Sequence, residues 1–196
     1  MNLNLEEAAM TAIETKDRWR RRAALGYIEL GLPREAEREL AEMSPLGRLH
    51  EEAIILRLHL AQHWHDWRQA AQLSELLVQR QPEHLEWRIL LAYSVRRCDS
   101  LDAARRILEA ALREHPREAI LLFNLGCYAC VAGDLHGARK YVREAIRLDG
   151  KYAEAAEIDG DLLPLRGELP ILVHQAKTLA LPAPPKTSAL ADGAED

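Results

Sequence analysis

Apolar residues recur along this chain at steps of three and four, the spacing of one face of a helix. Over that rhythm lies a longer one of 34 residues. Ala36, Ala70, Ala104 and Ala138 stand one period apart, and so do Ala24, Leu58, Ala92 and Gly126. Gly31, His65, Asp99 and Gly133 form a third series, and Arg48, Pro82, Pro116 and Gly150 a fourth. Four position classes share one period and one phase without an insertion, which coincidence explains poorly. No run of β-branched residues alternates with polar ones, so strands find no support. Ala, Leu, Glu and Arg dominate, and all favour helix.

The physical reading is a row of helical hairpins. Small residues at Ala24, Ala92 and Gly126 let the first helix of a unit approach its second closely, and Ala36, Ala70, Ala104 and Ala138 do the same from the other side. Pro82 and Pro116 end helices, because proline has no N–H and crowds the preceding turn. One hairpin cannot bury its own apolar face, so neighbours must stack to make a core.

The clearest unit, Ala119 to Gly150, reads "AILLFNLGCYACVAGDLHGARKYVREAIRLDG". It resembles the tetratricopeptide repeat family, with Leu125-Gly126, Tyr128 one place early, Gly133, Ala138 and Ala145 on the family pattern and Gly150 where proline usually closes the unit. The unit Leu85 to Glu118 keeps Ala92, Ala104, Ala111 and Pro116. Glu51 to His84 keeps Ala70 and Pro82. Asp17 to His50 keeps Ala24, Tyr27, Gly31 and Ala36. The resemblance implies an all-α fold, a right-handed α-solenoid of stacked antiparallel helix pairs. The expected organisation is an N-terminal helix in residues 1–16, four 34-residue repeats in 17–152, a partial fifth repeat and capping helix in 153–181, and a disordered tail in 182–196. That tail, "PAPPKTSALADGAED", has almost nothing to bury.

Composition narrows the function. The 196 residues are 48% hydrophobic and 29% charged, with a formal net charge of -5, so general nucleic-acid binding is not expected. The acidic start, "MNLNLEEAAM", lacks a basic segment before an apolar core and does not read as a secretory signal. No apolar run approaches the roughly 20 residues that span a bilayer, so no membrane role is expected. Three cysteines do not make a disulfide framework. A reduced, cytoplasmic setting is expected.

Two stretches invite a chemical reading. "LHLAQHWHDWRQA", Leu58 to Ala70, sets His59 and His63 four apart on one helix face, the spacing of a metal pair. Yet His65 falls on the turn position of Gly31 and Gly133, and zinc would want a third and fourth ligand. The stretch therefore reads as a hairpin turn, with no metal and no cofactor. Cys127-x-x-Cys130 lies inside a first helix rather than at a helix start, where a redox pair gains its reactivity. It reads as small residues on a helix surface. No HExxH, GxSxG or phosphate-loop motif is present, so no enzyme is expected.

Arrays of the resembled family bind peptides or proteins on a concave groove lined by the first helices. The resemblance implies a lining of Arg18, Arg21, Arg22, Leu25 and Glu29, then Ile55, Leu56, His59 and His63. It continues with Ile89, Leu90, Tyr93, Arg96 and Arg97, and then Phe123, Asn124, Cys127 and Val131. This apolar floor with basic groups suits a protein or peptide partner bearing apolar and acidic residues. Some family members clamp the terminal carboxylate of heat-shock chaperones. Here Arg21 fills the first basic place, but Leu25, Leu56 and Glu86 stand where Asn, Asn and Lys are needed. The expected function is a non-enzymatic adaptor. A dedicated chaperone for one secreted substrate, or a metal- or redox-responsive regulator, are the alternatives.

Overall fold

The computed structural model describes the backbone of residues 2–179 and the side chains from Met10 to Thr178. The tail expected in residues 182–196 lies outside the described residues. Among the described residues there are helices and no strand. The helices are α1 (Asn2–Glu29), α2 (Pro33–Ala41), α3 (Glu51–His63), α4 (Trp67–Arg80), α5 (Leu85–Cys98), α6 (Leu101–Glu114), α7 (Ala119–Val131), α8 (Leu135–Leu148), α9 (Lys151–Ile158) and α10 (Leu169–Leu179). Short 3₁₀ segments span Gly47–Leu49 and Gly160–Glu168. The 34-residue rhythm is visible in where helices begin: α2, α4, α6 and α8 start at Pro33, Trp67, Leu101 and Leu135, and α3, α5 and α7 at Glu51, Leu85 and Ala119.

The turns explain that regularity. Gly31, His65 and Gly133 all take positive φ, at 71°, 58° and 82°, and reverse the chain between the helices of a pair. Glycine adopts that conformation freely, whereas His65 holds it against its own Cβ. Each following helix then opens on a cap. Asp66, Ser100 and Asp134 accept from the backbone N–H of Gln69 (3.0 Å), Ala103 (3.1 Å) and Gly137 (2.8 Å). The equivalent place before α2 is Leu32, and Pro33 there starts the helix without needing an N–H partner.

The chain divides into two compact units, residues 1–116 and residues 117–196. In the first unit, Ala24, Ala36, Leu40, Met43, Ala53, Leu56 and Leu60 form one core cluster. Ile54, Leu58, Ala61, Ala70, Leu73, Leu77 and Trp87 form another. The alanines of the repeat, Ala24, Ala36, Ala70, Ala92 and Ala104, are wholly buried. The Trp87 indole donates to the Gln81 side chain at 2.9 Å, so its polar edge is satisfied inside the core.

α1 runs unbroken through residue 16, so the expected N-terminal helix and the first helix of the first repeat are one helix. No glycine or proline interrupts residues 2–25, and nothing in that stretch could stop it. α2 is short and ends at Ala41. The chain from Ser44 to Leu49 is instead tied to α1 by Asp17, a buried carboxylate that accepts from the Ser44 backbone N–H at 2.9 Å and from the Ser44 hydroxyl.

In the second unit, α7 packs against α8, and Gly126 makes the contact possible. A Cβ on Gly126 would stand 2.7 Å from Val142 Cγ2 and 3.3 Å from the Val142 backbone nitrogen. α9 ends at Ile158, and the following 3₁₀ segment absorbs Pro164 and Gly167. α10 lies on α8, burying Leu169, Leu172 and Ala176. A bidentate ion pair of Arg139 with Glu168, at 2.6 and 2.8 Å, ties α8 to the start of α10.

Candidate functional site

The first unit carries a cleft of about 480 Å³ between α1 and α3, lined by Arg18, Arg21, Arg22, Leu25, Glu52, Ile55, Leu56 and His59. These eight residues are four pairs one period apart: Arg18 with Glu52, Arg21 with Ile55, Arg22 with Leu56, and Leu25 with His59. The cleft is thus what two consecutive first helices make when the same face of each turns the same way. Leu56 is buried and Ile55 half-buried, which gives an apolar floor, while Leu25 is 46% exposed on the wall.

Its charges are unevenly matched. Arg21 is buried along its stem, and its Nε donates to the Glu52 carboxylate at 3.0 Å. The Glu52 backbone N–H in turn donates to the His50 ring nitrogen at 3.3 Å. Arg18 and Arg22 are exposed and have no ion pair among the described residues. His59 is exposed at the rim. Seven of the residues expected from sequence, Arg18, Arg21, Arg22, Leu25, Ile55, Leu56 and His59, are therefore brought together.

The remaining expected residues are placed differently. Tyr93, 38% exposed, is covered on one face by Arg97, whose guanidinium carbon is 3.4 Å from the ring centroid. The same guanidinium is 5.0 Å from the Trp67 ring, and Trp67 meets Tyr93 edge-on at 5.6 Å. Arg97 is exposed, and its guanidinium is ordered over these rings. It is held by two aromatic faces and by the Tyr93 carbonyl at 3.1 Å. Arg96 and Ile89 are half-buried.

Phe123, expected at a surface, is buried in the second unit, and Asn124 beside it is half-buried. Phe123 is 8% exposed and packs on Tyr152 with ring centroids 4.9 Å apart. Asn124 turns its amide back to the Ile120 carbonyl at 2.8 Å, one turn earlier on its own helix.

His63 stands edge-on to Trp64 at 4.7 Å, and His65 stacks on Trp67 at 5.2 Å. Among the described residues no group of three or more His, Cys, Asp or Glu side chains is placed to hold a metal ion. Cys127 and Cys130 are buried rather than on a helix surface, each 4% exposed. Burial pushes the Cys130 thiol up, with the Asp161 carboxylate acting in the same direction. A reactive thiolate needs the opposite shift. The Cys127 thiol points to the Asp159 carboxylate at 3.7 Å.

Sequence reasoning missed Glu52, Asp17, Ser44 and Gly47. Glu52 was open to discovery, because the 34-residue register pairs it with Arg18. The Asp17–Ser44 tie had no such signal, since neither residue belongs to a repeating class.

No family model matches the chain, and no curated protein matches it in sequence. Solved structures do match it in fold. Residues 41 to the end of MamA from Desulfovibrio magneticus RS-1 superpose with a TM-score of 0.62 at 18% identity, covering 83% of this chain and 96% of that one. The MamA RS-1 ArsTM double mutant gives 0.62 at 18%, covering 83% and 95%. MamA AMB-1 in a P212121 crystal gives 0.57 at 15%, covering 85% and 92%. The chain has the tetratricopeptide-like all-α fold that these structures share. No helix among the described residues is long and apolar enough to cross a membrane.

Proposed function

We propose that this chain is a non-enzymatic adaptor that binds a segment of another protein in the cleft between α1 and α3. The observation that supports the reading is the charge imbalance there. Arg18 and Arg22 stand over an apolar floor without carboxylate partners among the described residues, while the neighbouring Arg21 is already paired with Glu52. A segment with a carboxylate beside an apolar side chain would complete both features. The carboxylate would meet the two guanidiniums, where a charge-assisted pair gains strength from partial burial. The apolar group would cover Leu25, Ile55 and Leu56, at roughly 25 cal/mol per Å² removed from water.

By register, Ile89 and Tyr93 extend the same series of positions onto α5. We read Tyr93 and Arg97 as a flanking aromatic contact rather than a second source of free charge. The likeness to MamA contributes the fold, in which stacked hairpins expose first helices side by side.

The test is selection of peptides from a random display library on the intact chain, with Arg18→Glu/Arg22→Glu as counter-selection. The reading expects enriched peptides that combine Asp or Glu with Leu, Ile, Phe or Val and that the variant fails to retain. Enrichment of basic peptides, or equal retention by the variant, contradicts it.

A further inference from the structure

A second cleft of the first unit, of about 240 Å³, opens on another side of α3. Arg57, Leu60 and Trp64 line it at steps of three and four, whereas Glu52, Ile55, Leu56 and His59 line the α1–α3 cleft. Leu60 and Leu40 of α2 are buried and give it an apolar floor. Trp64, 45% exposed, gives it a flat wall. Arg48 and Arg57 both reach it, and Glu37 stands exposed at its rim.

The two arginines are out of keeping with the rest of the chain. Both are half-buried, and neither side chain has a hydrogen bond or an ion pair among the described residues. Arg20, Arg21, Arg88, Arg105, Arg139 and Arg147, buried or half-buried elsewhere, are each paired with a carboxylate. The repeat does not ask for the two charges either. Ala23, Leu91 and Leu125 hold the place of Arg57 in the other units, and Leu125 is wholly buried. Pro82, Pro116 and Gly150 hold the place of Arg48. A partly buried charge without a partner costs free energy. Packing here gives nothing in return, whereas an anion in the cleft would.

We propose that this cleft binds a small monocarboxylate carrying a flat apolar group, with the carboxylate at Arg48 and Arg57 and the apolar group against Trp64, Leu40 and Leu60. Two guanidiniums against the one carboxylate of the lining, Glu37, leave one net positive charge, which suits a monoanion better than a dianion. A guanidinium–carboxylate pair is charge-assisted and directional, so the two arginines would fix the ligand's orientation. The indole face and the leucine floor would then select a planar, apolar body. The volume lies below the roughly 300–1,000 Å³ of sites for drug-sized ligands, so the occupant is a free small molecule rather than a length of chain.

The experiment titrates phenylacetate into the full chain and follows backbone amide spectra. Shifts should centre on Glu37 to Ala41, Arg48 and Arg57 to Trp64, with a Kd on the order of a millimolar or below for a ligand of this size. Phenethyl alcohol, which lacks the charge, and acetate, which lacks the ring, should each bind at least about tenfold more weakly. Arg57→Leu supplies the side chain that stands at Leu91 and Leu125. It should abolish binding without lowering the thermal midpoint. Glu37→Gln should tighten binding, because it removes the opposing charge. Arg18→Glu/Arg22→Glu should leave binding unchanged, which separates this cleft from the one between α1 and α3. Absent shifts at Arg57 to Trp64, parental binding by Arg57→Leu, or tighter binding of phenyl phosphate overturns the proposal. A lower midpoint for Arg57→Leu overturns it too, because that assigns Arg57 to holding the fold. Loss of binding in Arg18→Glu/Arg22→Glu also overturns it, because it places the probe in the α1–α3 cleft.

Discussion

Asp17 and Ser44, 27 residues apart, are joined by two hydrogen bonds that fasten the loop after α2 to the middle of α1. The Ser44 hydroxyl is passed on in turn, accepting from the Gly47 backbone N–H at 2.9 Å. Gly47 must be glycine for a steric reason: a Cβ there would lie 2.1 Å from Asp17 Oδ2. Asp17→Ala should cost about 1–3 kcal/mol, the range for leaving buried donors unpaired. Gly47→Ala should also destabilise. The two should be less than additive, because removing the Asp17 carboxylate clears the space that the new Cβ needs. Urea denaturation of the two single variants and the double variant measures this. Strict additivity would mean that the two residues act separately.

His65 occupies a turn that its counterparts fill with glycine. His65→Gly removes a Cβ from a left-handed position, a strain of about 1–2 kcal/mol, and gives back part of that in chain entropy and in the lost stack on Trp67. The expected net effect is a gain of up to about 1 kcal/mol. Gly133→Ala, the converse change at φ 82°, should lose stability. A thermal midpoint that falls for His65→Gly would show the Trp67 stack to be the larger effect.

The close helix contacts set a third expectation. Ala104 is wholly buried on α6, and Ala104→Glu would add both volume and charge there, with an expected loss of several kcal/mol. Gly126→Val should be similarly severe, because Val142 is β-branched and its backbone nitrogen is also close. Chemical denaturation checks both. Unchanged stability for either would contradict the packing described.

These alanines and glycines were legible in the sequence because a periodic fold repeats its steric demands. The resemblance implied seven of the eight residues that line the cleft, all but Glu52. What escaped were features outside the period. Phe123 was expected at a surface and is buried, because Tyr152, on α9 at the very end of the last repeat, covers it. Arg97 was expected among the groove residues and is exposed, but its contacts with Tyr93 and with Trp67 from α4 were not foreseen. Asn124 stays half-buried, and its amide donates to the Ile120 carbonyl, a local bond that side-chain type alone does not reveal. The Arg139–Glu168 pair joins residues 29 apart in a stretch where the repeat has already lapsed.

Acid should loosen the chain in a defined sense. The Arg139 side chain holds the Glu168 carboxyl below its ordinary range, Arg88 does the same for Glu114, and Arg147 for Glu144. A carboxylate whose folded pKa is depressed contributes stability above its unfolded value, about 4.3, and loses it as pH falls through the folded value. The thermal midpoint should therefore be insensitive to these groups near neutrality and decline below about pH 4.5. Glu114→Gln/Glu168→Gln should lower the midpoint at neutral pH and make the acid decline shallower. A decline of the same steepness would assign acid sensitivity to other carboxylates.

The central claim is that the α1–α3 cleft binds a carboxylate-bearing, partly apolar segment through Arg18 and Arg22. The most direct measurement is the affinity of the best display-selected peptide for the parent chain and for Arg18→Glu/Arg22→Glu, each at about 50 and about 300 mM salt, with circular dichroism as the folding control. Both arginines are exposed, so the variant should remain folded. The expected result is an affinity at least about tenfold lower in the variant, with the parent weakening as salt rises and the variant nearly indifferent to it. A folded variant that binds the peptide as tightly as the parent, with the same salt dependence, would contradict the claim.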